Sequence, residues 1–462
     1  MTTTLKCVSP VDGSVYAERP AASRAEADEA LARARAAQKD WAARPLSERV
    51  ALVLAGVTRL GEMNAEIVPE LAWMMGRPVR YGGEFGGVRE RADYVAQIAE
   101  SALAPIEIET SDRFERRIIR EPHGIVFVIA PWNYPYLTAN NTVAPALIAG
   151  NAVIIKHATQ TLLVGERMVR AFAEAGLPEG LFQNLFLDHA TTEALIGARA
   201  FGFVNFTGSV NGGKAIERAA AGTFTPLGLE LGGKDPGYVM EDADLDRAVD
   251  VLMDGAFYNS GQCCCGIERI YVVEPLYDAF VEKAVAWVST LKLGNPLDEA
   301  TTLGPMASKR FAAEVRAQVG AAVQAGATPL IDPALFPQDD GGAYLAPQLL
   351  VGVDHSMRVM REESFGPVVG VMKVKDDAEA VALMNDCAYG LTVSLWTSDA
   401  ERAARLGAQL ETGTVFMNRA DYLDPALCWT GCKDTGRGGA LSVIGFHNLT
   451  RPKSYHLRKV FA

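Results

Sequence analysis

The stretch "GIVFVIAP" (Gly124–Pro131) is dense in β-branched residues and ends on a proline, which reads as a buried strand. Working outward, "AVIIK" (Ala152–Lys156) is a second buried strand and "GFVNFTGS" (Gly202–Ser209) a third. The segment "TLLVGERMVRAFAEAGLPEG" has helical periodicity and stops at Gly176 and Pro178, and "VNGGKAIERAAAG" opens a helix after a glycine-rich turn. This β-α-β-α-β order implies a parallel, doubly wound sheet. A second alternation begins near Leu231, with "DPGYVMED", "ERIYVVEP", "VVGVMKV", "LTVSLWTSD" and "GTVFMN" as strands and helical segments between them. The fold class is therefore α/β, with two doubly wound domains. "IEIETSDRFERRIIREP" (Ile106–Pro122) alternates apolar and charged residues and reads as an exposed hairpin. Half-exposed strands of this kind often pair with another subunit, and the C-terminal "TRPKSYHLRKVFA" is suited to the same use.

The chain has 462 residues, enough for two or three domains with real cores. Its formal net charge is −12 and no basic block occurs, so a nucleic-acid partner is not expected. No run of 18 apolar residues exists, so no membrane span is expected. The first twenty residues hold no apolar core of the kind a secretory signal needs. An odd count of seven cysteines fits a reduced, cytoplasmic setting.

Three of those seven, Cys263, Cys264 and Cys265, stand together in "NSGQCCCGIERI". A structural zinc site needs ligands at repeated spacings such as C-x2-C, and adjacent side chains diverge too far for one tetrahedral ion or for a disulfide. Buried small hydrophobes and a nucleophile remain. In an extended segment Cys263 and Cys265 share one face and Cys264 takes the other. Either one cysteine or the outer pair then addresses a given cleft.

Other stretches carry chemistry. "FTGSVNGGK" places Gly208, Ser209 and Gly213 at a strand-to-helix turn, whose free N–H groups suit a pyrophosphate. "PWNYP" puts Trp132 and Asn133 at the carboxyl end of a strand, where open α/β sheets bind ligands, and an Asn amide can donate to a developing oxyanion. "LELGGK" holds Glu230 between apolar residues, where desolvation raises a carboxyl toward a useful base. "EESFGP" contributes Glu363 and Phe365, and "IIKHAT" contributes Lys156.

Together these stretches resemble the aldehyde dehydrogenase superfamily over nearly the whole chain. The resemblance runs in order from "SPVDGSVYAERP" through "PWNYP", "GNAVIIK", "FTGS", "LELGGKDP", "GQCC", "LGNPLDEATTLGP", "MREESFGPVV" and "GCKDTGRG" to "RPKSYH". It implies a Rossmann-like cofactor domain (1–103 and 123–231), a catalytic domain (232–440) and a small β oligomerisation arm (104–122 and 441–462) in a homodimer or homotetramer. In the family pattern the reactive cysteine is the second residue after Gln of G-Q-x-C, here Cys264. Its thiolate attacks the aldehyde carbon. The Asn133 side chain and the Cys264 N–H hold the oxyanion, hydride passes to NAD or NADP, and Glu230 activates water to release the acid. Lys156 and Glu363 match positions that hydrogen-bond the two riboses, and Ser209 matches the pyrophosphate contact. A glutamate at the base position is generally missing from relatives that pass the acyl group to coenzyme A, so a coenzyme A acceptor is the alternative and an inactive structural homologue a further one.

Two departures stand out. NAD-preferring members often carry a glutamate three positions after the lysine, and Thr159 stands there. A carboxylate repels a 2′-phosphate and a threonine does not, so NADP is expected to be accepted at least as well as NAD, with His157 nearby to help. On the substrate side, Tyr134, Tyr258 and Trp429 are candidate tunnel residues. Thr138, Asn140 and Asn141 replace larger apolar side chains, and the late loop brings Arg419, Asp421, Tyr422 and Asp424 toward the mouth. With no arginine near "YLTANN", the substrate expected is a medium-sized or aromatic aldehyde.

Overall fold

The computed structural model describes residues 3–420 and 422–460. Two strands that sequence marks as apolar, Ile125–Ala130 and Ala152–His157, are buried at every residue. They run parallel in a six-stranded sheet. The chain moves outward from Ile125–Ala130 through Ala152–His157 to Phe182–Asn184. It then returns to place Phe203–Thr207 on the other side of Ile125–Ala130, followed by Leu227–Glu230. That reversal opens a crevice at the carboxyl ends of Ile125–Ala130 and Phe203–Thr207, where such sheets take ligands. A two-residue strand, Gly436–Arg437, closes the edge antiparallel to Leu229 and Glu230.

The second alternation forms a seven-stranded sheet centred on Asp235–Val239, Ile267–Val273 and Val368–Val374. Thr392–Trp396 and Thr414–Met417 extend it on the far side of Asp235–Val239. Consecutive residues point to opposite faces, so Tyr238 joins one core and Val239 another. The helices between strands start on capping side chains. Ser209 caps Val210–Ala220, Asp244 caps Leu245–Phe257 and Ser308 caps Lys309–Gln324.

The exposed hairpin forms, with Ile106–Glu107 beside Phe114–Pro122. The C-terminal strand Thr450–Arg458 pairs along Phe114–Pro122 of the same chain, from Thr450 opposite Pro122 to Arg458 opposite Phe114. The pairing expected with a second subunit is thus made within one chain. Helix Ser442–Asn448 packs on helix Phe85–Leu103 and starts the last strand beside Pro122. Among the described residues no helix is long and apolar enough to cross a membrane.

Candidate active site

The approach to Cys264 is a strained, heavily bonded turn. Asn259, Ser260 and Gly261 have successive φ values of 54°, 57° and 71°. A Cβ on Gly261 would stand 2.2 Å from the Gly366 carbonyl, so only glycine fits. Asn259 Nδ2 donates to the carbonyls of Asn133 at 3.3 Å and Gln262 at 3.2 Å. Gln262 donates to the Asn259 carbonyl at 3.0 Å and accepts from the Ala307 N–H at 2.8 Å. These bonds offset the strain and fix where the cysteines emerge.

The cysteines are not extended. Gly266 N donates to the Cys263 carbonyl at 3.1 Å, closing a turn over Cys264 and Cys265. The three sulfurs therefore gather within 4.8 Å of one another, closer than divergent neighbours on an extended chain would lie. The division of labour expected from alternation still emerges. Cys263 and Cys265 are buried with sulfurs 3.5 Å apart, packed with Leu391, Trp429, Ala440 and Leu441. The Cys264 side chain beside it, and burial, push the Cys263 thiol up to about 12. Of the three, Cys264 lines the two cavities that flank the turn.

The first cavity is a groove of about 570 Å³ at the crevice of the six-stranded sheet. Trp132, Asn133, Lys156, Thr159, Gly208, Ser209, Glu363 and Phe365 all line it with Cys264. Trp132 stacks on Phe311 at 5.3 Å and meets Phe365 edge-on at 5.5 Å, making an aromatic wall. Ser209 Oγ accepts from Gly212 N at 3.2 Å, and the first turn of helix Val210–Ala220 borders the groove. Burial pulls the Lys156 ammonium below its usual value, against the opposing pull of Asp188. Burial first, then the Glu268 charge, push Glu363 up to about 8, while the Gly233 N–H donates to it at 3.0 Å. Glu268 also builds the Glu363 loop. It accepts from Ser364 N at 2.8 Å and Phe365 N at 2.7 Å, and pairs with buried Lys234 at 2.7 Å. An aromatic wall, a helix start and an inward ammonium and carboxyl are the donor set a dinucleotide requires.

Two expected cofactor contacts move. Gly213 does not line the groove. Its absent side chain makes room for Leu231, whose Cδ atoms would lie 2.7 Å from a Cβ there, and Gly212 takes the groove position. His157 is buried, bonded between the Pro135 carbonyl and Thr161 Oγ1, and burial holds it down at about 3. It stays neutral and does not line the groove. Residues the sequence did not suggest are His189, Thr192 and Glu193 at one wall and Arg310 and Phe311 at another. No local motif marks them, because they come from separate helices.

Glu230 lies on the other side of Cys264. A narrow cavity of about 30 Å³ is lined by both, with Thr138, Leu391, Leu423 and Trp429. Burial pushes the Glu230 carboxyl up to about 7, moderated by Thr207 Oγ1, which donates to it at 3.4 Å, and by the Arg91 charge. Asn133 is buried and its Nδ2 donates to the Gln262 carbonyl at 3.3 Å. Its own carbonyl accepts from Arg77, which forms a buried ion pair with Glu84 at 2.6 Å. Glu84 in turn accepts from Leu137 N at 2.6 Å, so this pair ties the middle of the "PWNYP" turn to the first turn of helix Pro135–Ile148.

Of the substrate candidates, Trp429 reaches the Cys264–Glu230 cavity. Tyr134 packs beside the cysteine turn under the Arg77 guanidinium, 4.9 Å away. Tyr258 packs against Tyr81 at 4.7 Å and borders neither Cys264 cavity. Thr138 lines the narrow cavity, whereas Asn140 and Asn141 turn toward helix Phe85–Leu103, bonded to the Val88 carbonyl and to Arg91. Arg419 stacks on Tyr422, whose hydroxyl donates to Glu90 at 2.6 Å, and Asp424 caps the Ala426 N–H. These contacts anchor the loop. Asp421 lies outside the described residues.

Residues 1–455 match the model of the aldehyde dehydrogenase family. The chain is 34% identical over 447 residues to an NADP(+) succinate-semialdehyde dehydrogenase of Deinococcus radiodurans, covering 96% of this chain and 93% of that protein. It is 33% identical over 452 residues to a vanillin dehydrogenase of Corynebacterium glutamicum, covering 93% and 89%. A solved structure of an NADP-dependent glyceraldehyde-3-phosphate dehydrogenase from Bacillus halodurans, complexed with NADP, superposes with a TM-score of 0.92 at 33% identity, covering 99% of this chain and 96% of that one.

Proposed function

The chain belongs to the aldehyde dehydrogenase family and oxidises an aldehyde to the carboxylic acid with NAD(P)+, and we propose that Cys264 is its nucleophile, Glu230 its base and Asn133 its oxyanion donor. The observation that carries these roles is the position of Cys264, shared by the groove of Lys156 and Glu363 and by the cavity of Glu230. The Cys264 thiolate attacks the carbonyl carbon, and Asn133, held from behind by Arg77, stabilises the oxyanion. Bound NAD(P)+ supplies the hydride acceptor, with Trp132, Lys156, Thr159, Ser209, Glu363 and Phe365 as its contacts. A thioester remains on Cys264. Glu230, titrating near 7, takes a proton from water as the water attacks, and the Cys264 thiolate leaves. The acid is released and the enzyme is restored.

Thr159 at the groove wall supports acceptance of NADP, because it brings no carboxylate against a 2′-phosphate. The lining Leu391, Leu423 and Trp429 favour an apolar or aromatic aldehyde. Residues 1–103 with 123–231 make the cofactor domain, 232–440 the catalytic domain, and 104–122 with 441–462 an arm. Exposed Ile106, Ile108 and Leu457 on that arm favour a homo-oligomer, and seven free cysteines favour a reducing, cytoplasmic setting. Aldehyde-dependent NAD(P)H formation, with free acid made in equal amount, tests the reaction. Acyl-CoA formed on adding coenzyme A would overturn the hydrolytic step.

A further inference from the structure

Behind Glu230, on the side away from Cys264, lies a second cavity of about 20 Å³ lined by Asn141, Thr142, Asn205 and Glu230 and bordered by Arg437 and Asn448. Arg91 reaches this wall from helix Phe85–Leu103. It is 6% exposed, and its NH1 donates to Asn141 Oδ1 at 2.9 Å. Its Nε and Asn141 Nδ2 are buried with no protein partner among the described residues. A buried guanidinium with no ion-paired carboxylate among the described residues is costly to keep, and the orphaned Asn141 Nδ2 beside a cavity large enough for one water marks a built site. The Arg91 charge acts on Glu230, and the Glu230 charge acts on Arg91.

We propose that Arg91, steadied by Asn141, is a positioning residue that supports Glu230 from behind, with one water bridging Asn141 Nδ2 to the carboxylate. Arg91 touches neither aldehyde nor cofactor and acts only through Glu230. This rests on Glu230 being the base of the hydrolytic step. The groups that face Glu230 are Thr207 from its neighbouring strand, Arg91 from the helix behind, Cys264 from the cavity in front, Cys428 beside Gly439 of the rear cavity, and Arg437 at the rim. Arg91 itself is faced by Glu84, Glu90 and Cys265. Arg91 is the cation placed inside this wall, so its removal makes the carboxyl harder to ionise and slows hydrolysis at neutral pH without slowing attack or hydride transfer.

The test compares wild type, Arg91→Met, Arg91→Lys, Asn141→Leu and Glu230→Gln in single turnovers from pH 5.5 to 9. NADPH absorbance reports hydride transfer, and mass spectrometry of quenched samples reports loss of the acyl group from Cys264. Arg91→Met should shift the acid limb of acyl-enzyme decay upward by about one pH unit, with NADPH formation within about twofold of wild type. Arg91→Lys should restore the limb. Asn141→Leu, which keeps the charge, should shift it in the same direction by less, and it decides the matter if Arg91→Met does not fold. An unmoved limb, or equal slowing of both steps, overturns the proposal while Glu230→Gln still traps acyl-enzyme. If Glu230→Gln hydrolyses the thioester at the wild-type rate, the assignment of the base fails instead.

Discussion

Arg77 donates to the backbone carbonyl of Asn133, a residue 56 positions away, while its other arm is buried against Glu84. The proposed oxyanion donor is thus held by a buried cation, and Asn259 donates to the same carbonyl. Arg77→Met leaves Glu84 charged and unpaired, a change that typically costs about 3–5 kcal/mol. It should also lower kcat by roughly 10–100-fold through loss of alignment. The double variant Arg77→Met/Glu84→Gln should recover most of the stability in urea unfolding but not kcat. Recovery of both together would show that the pair serves folding alone.

The cysteine cluster separates into one half-buried thiol that reaches both cavities and two packed thiols, and single substitutions should separate likewise. Cys264→Ser should abolish aldehyde-dependent NADPH formation. Cys263→Ala and Cys265→Ala each remove one buried sulfur from a packed cluster, so each should cost about 1–2 kcal/mol of stability. Their kcat should stay within about threefold of wild type. Steady-state rates and urea midpoints on the three variants check this.

Thr159 lines the groove without a charge of its own. Thr159→Glu places a carboxylate against the 2′-phosphate position and should raise the NADP KM by at least about tenfold, a penalty near 1.4 kcal/mol, with the NAD KM changed far less. Initial rates with both cofactors at saturating aldehyde measure the two constants. An unchanged NADP KM would place Thr159 away from the phosphate.

Both sheets, and the gathering of the motifs that hold Cys264, Glu230 and Asn133 around shared cavities, are legible because each depends on local signals: β-branched runs, helix caps and short motifs at strand ends. The supports were not. Arg77, Arg91 and Glu84 act across 50 to 182 residues, as in the bonds of Arg91 to Asn141 and Arg77 to Asn259, and a charged residue in a loop or on a helix reads as solvated until its distant partner is in place. The sequence places Asn140 and Asn141 toward the substrate because a helix whose residues are nearly all buried shows no outer face. His157 and Gly213, at the end of a strand and in the first turn of a helix, differ from the cofactor contacts expected on another ground. Their spacing put them beside the groove, and only packing turned them away. The cysteines show the converse case, where an extended segment was assumed, a turn formed, and the 5% and 1% exposure of the outer pair still isolates Cys264.

As the proposed base, Glu230 links activity and stability to the same proton. Its carboxyl titrates near 7 in the folded chain, raised from 4.5 chiefly by burial, so the ionised base accumulates as pH rises through 7. Acyl-enzyme decay should therefore climb about tenfold per pH unit below that point and level off above it. Stability runs the other way. The folded pKa lies above the unfolded one, so at low pH both states hold the proton and Glu230 exerts no penalty. As pH rises from 4.5 through 7 the unfolded chain releases its proton first, and the folded state is progressively disfavoured. Glu230→Gln carries no such proton. It should match wild type in urea unfolding at about pH 4 and exceed it at pH 8 by up to about 3 kcal/mol, an upper bound because the carboxyl also faces two cavities. The same variant should lose the acid limb of acyl-enzyme decay. A variant that gains stability with pH but keeps the limb would separate the buried carboxyl from the base. A variant that loses the limb with no pH-dependent gain would show that Glu230 is ionised at little cost, with the positive charge behind it supplying the balance.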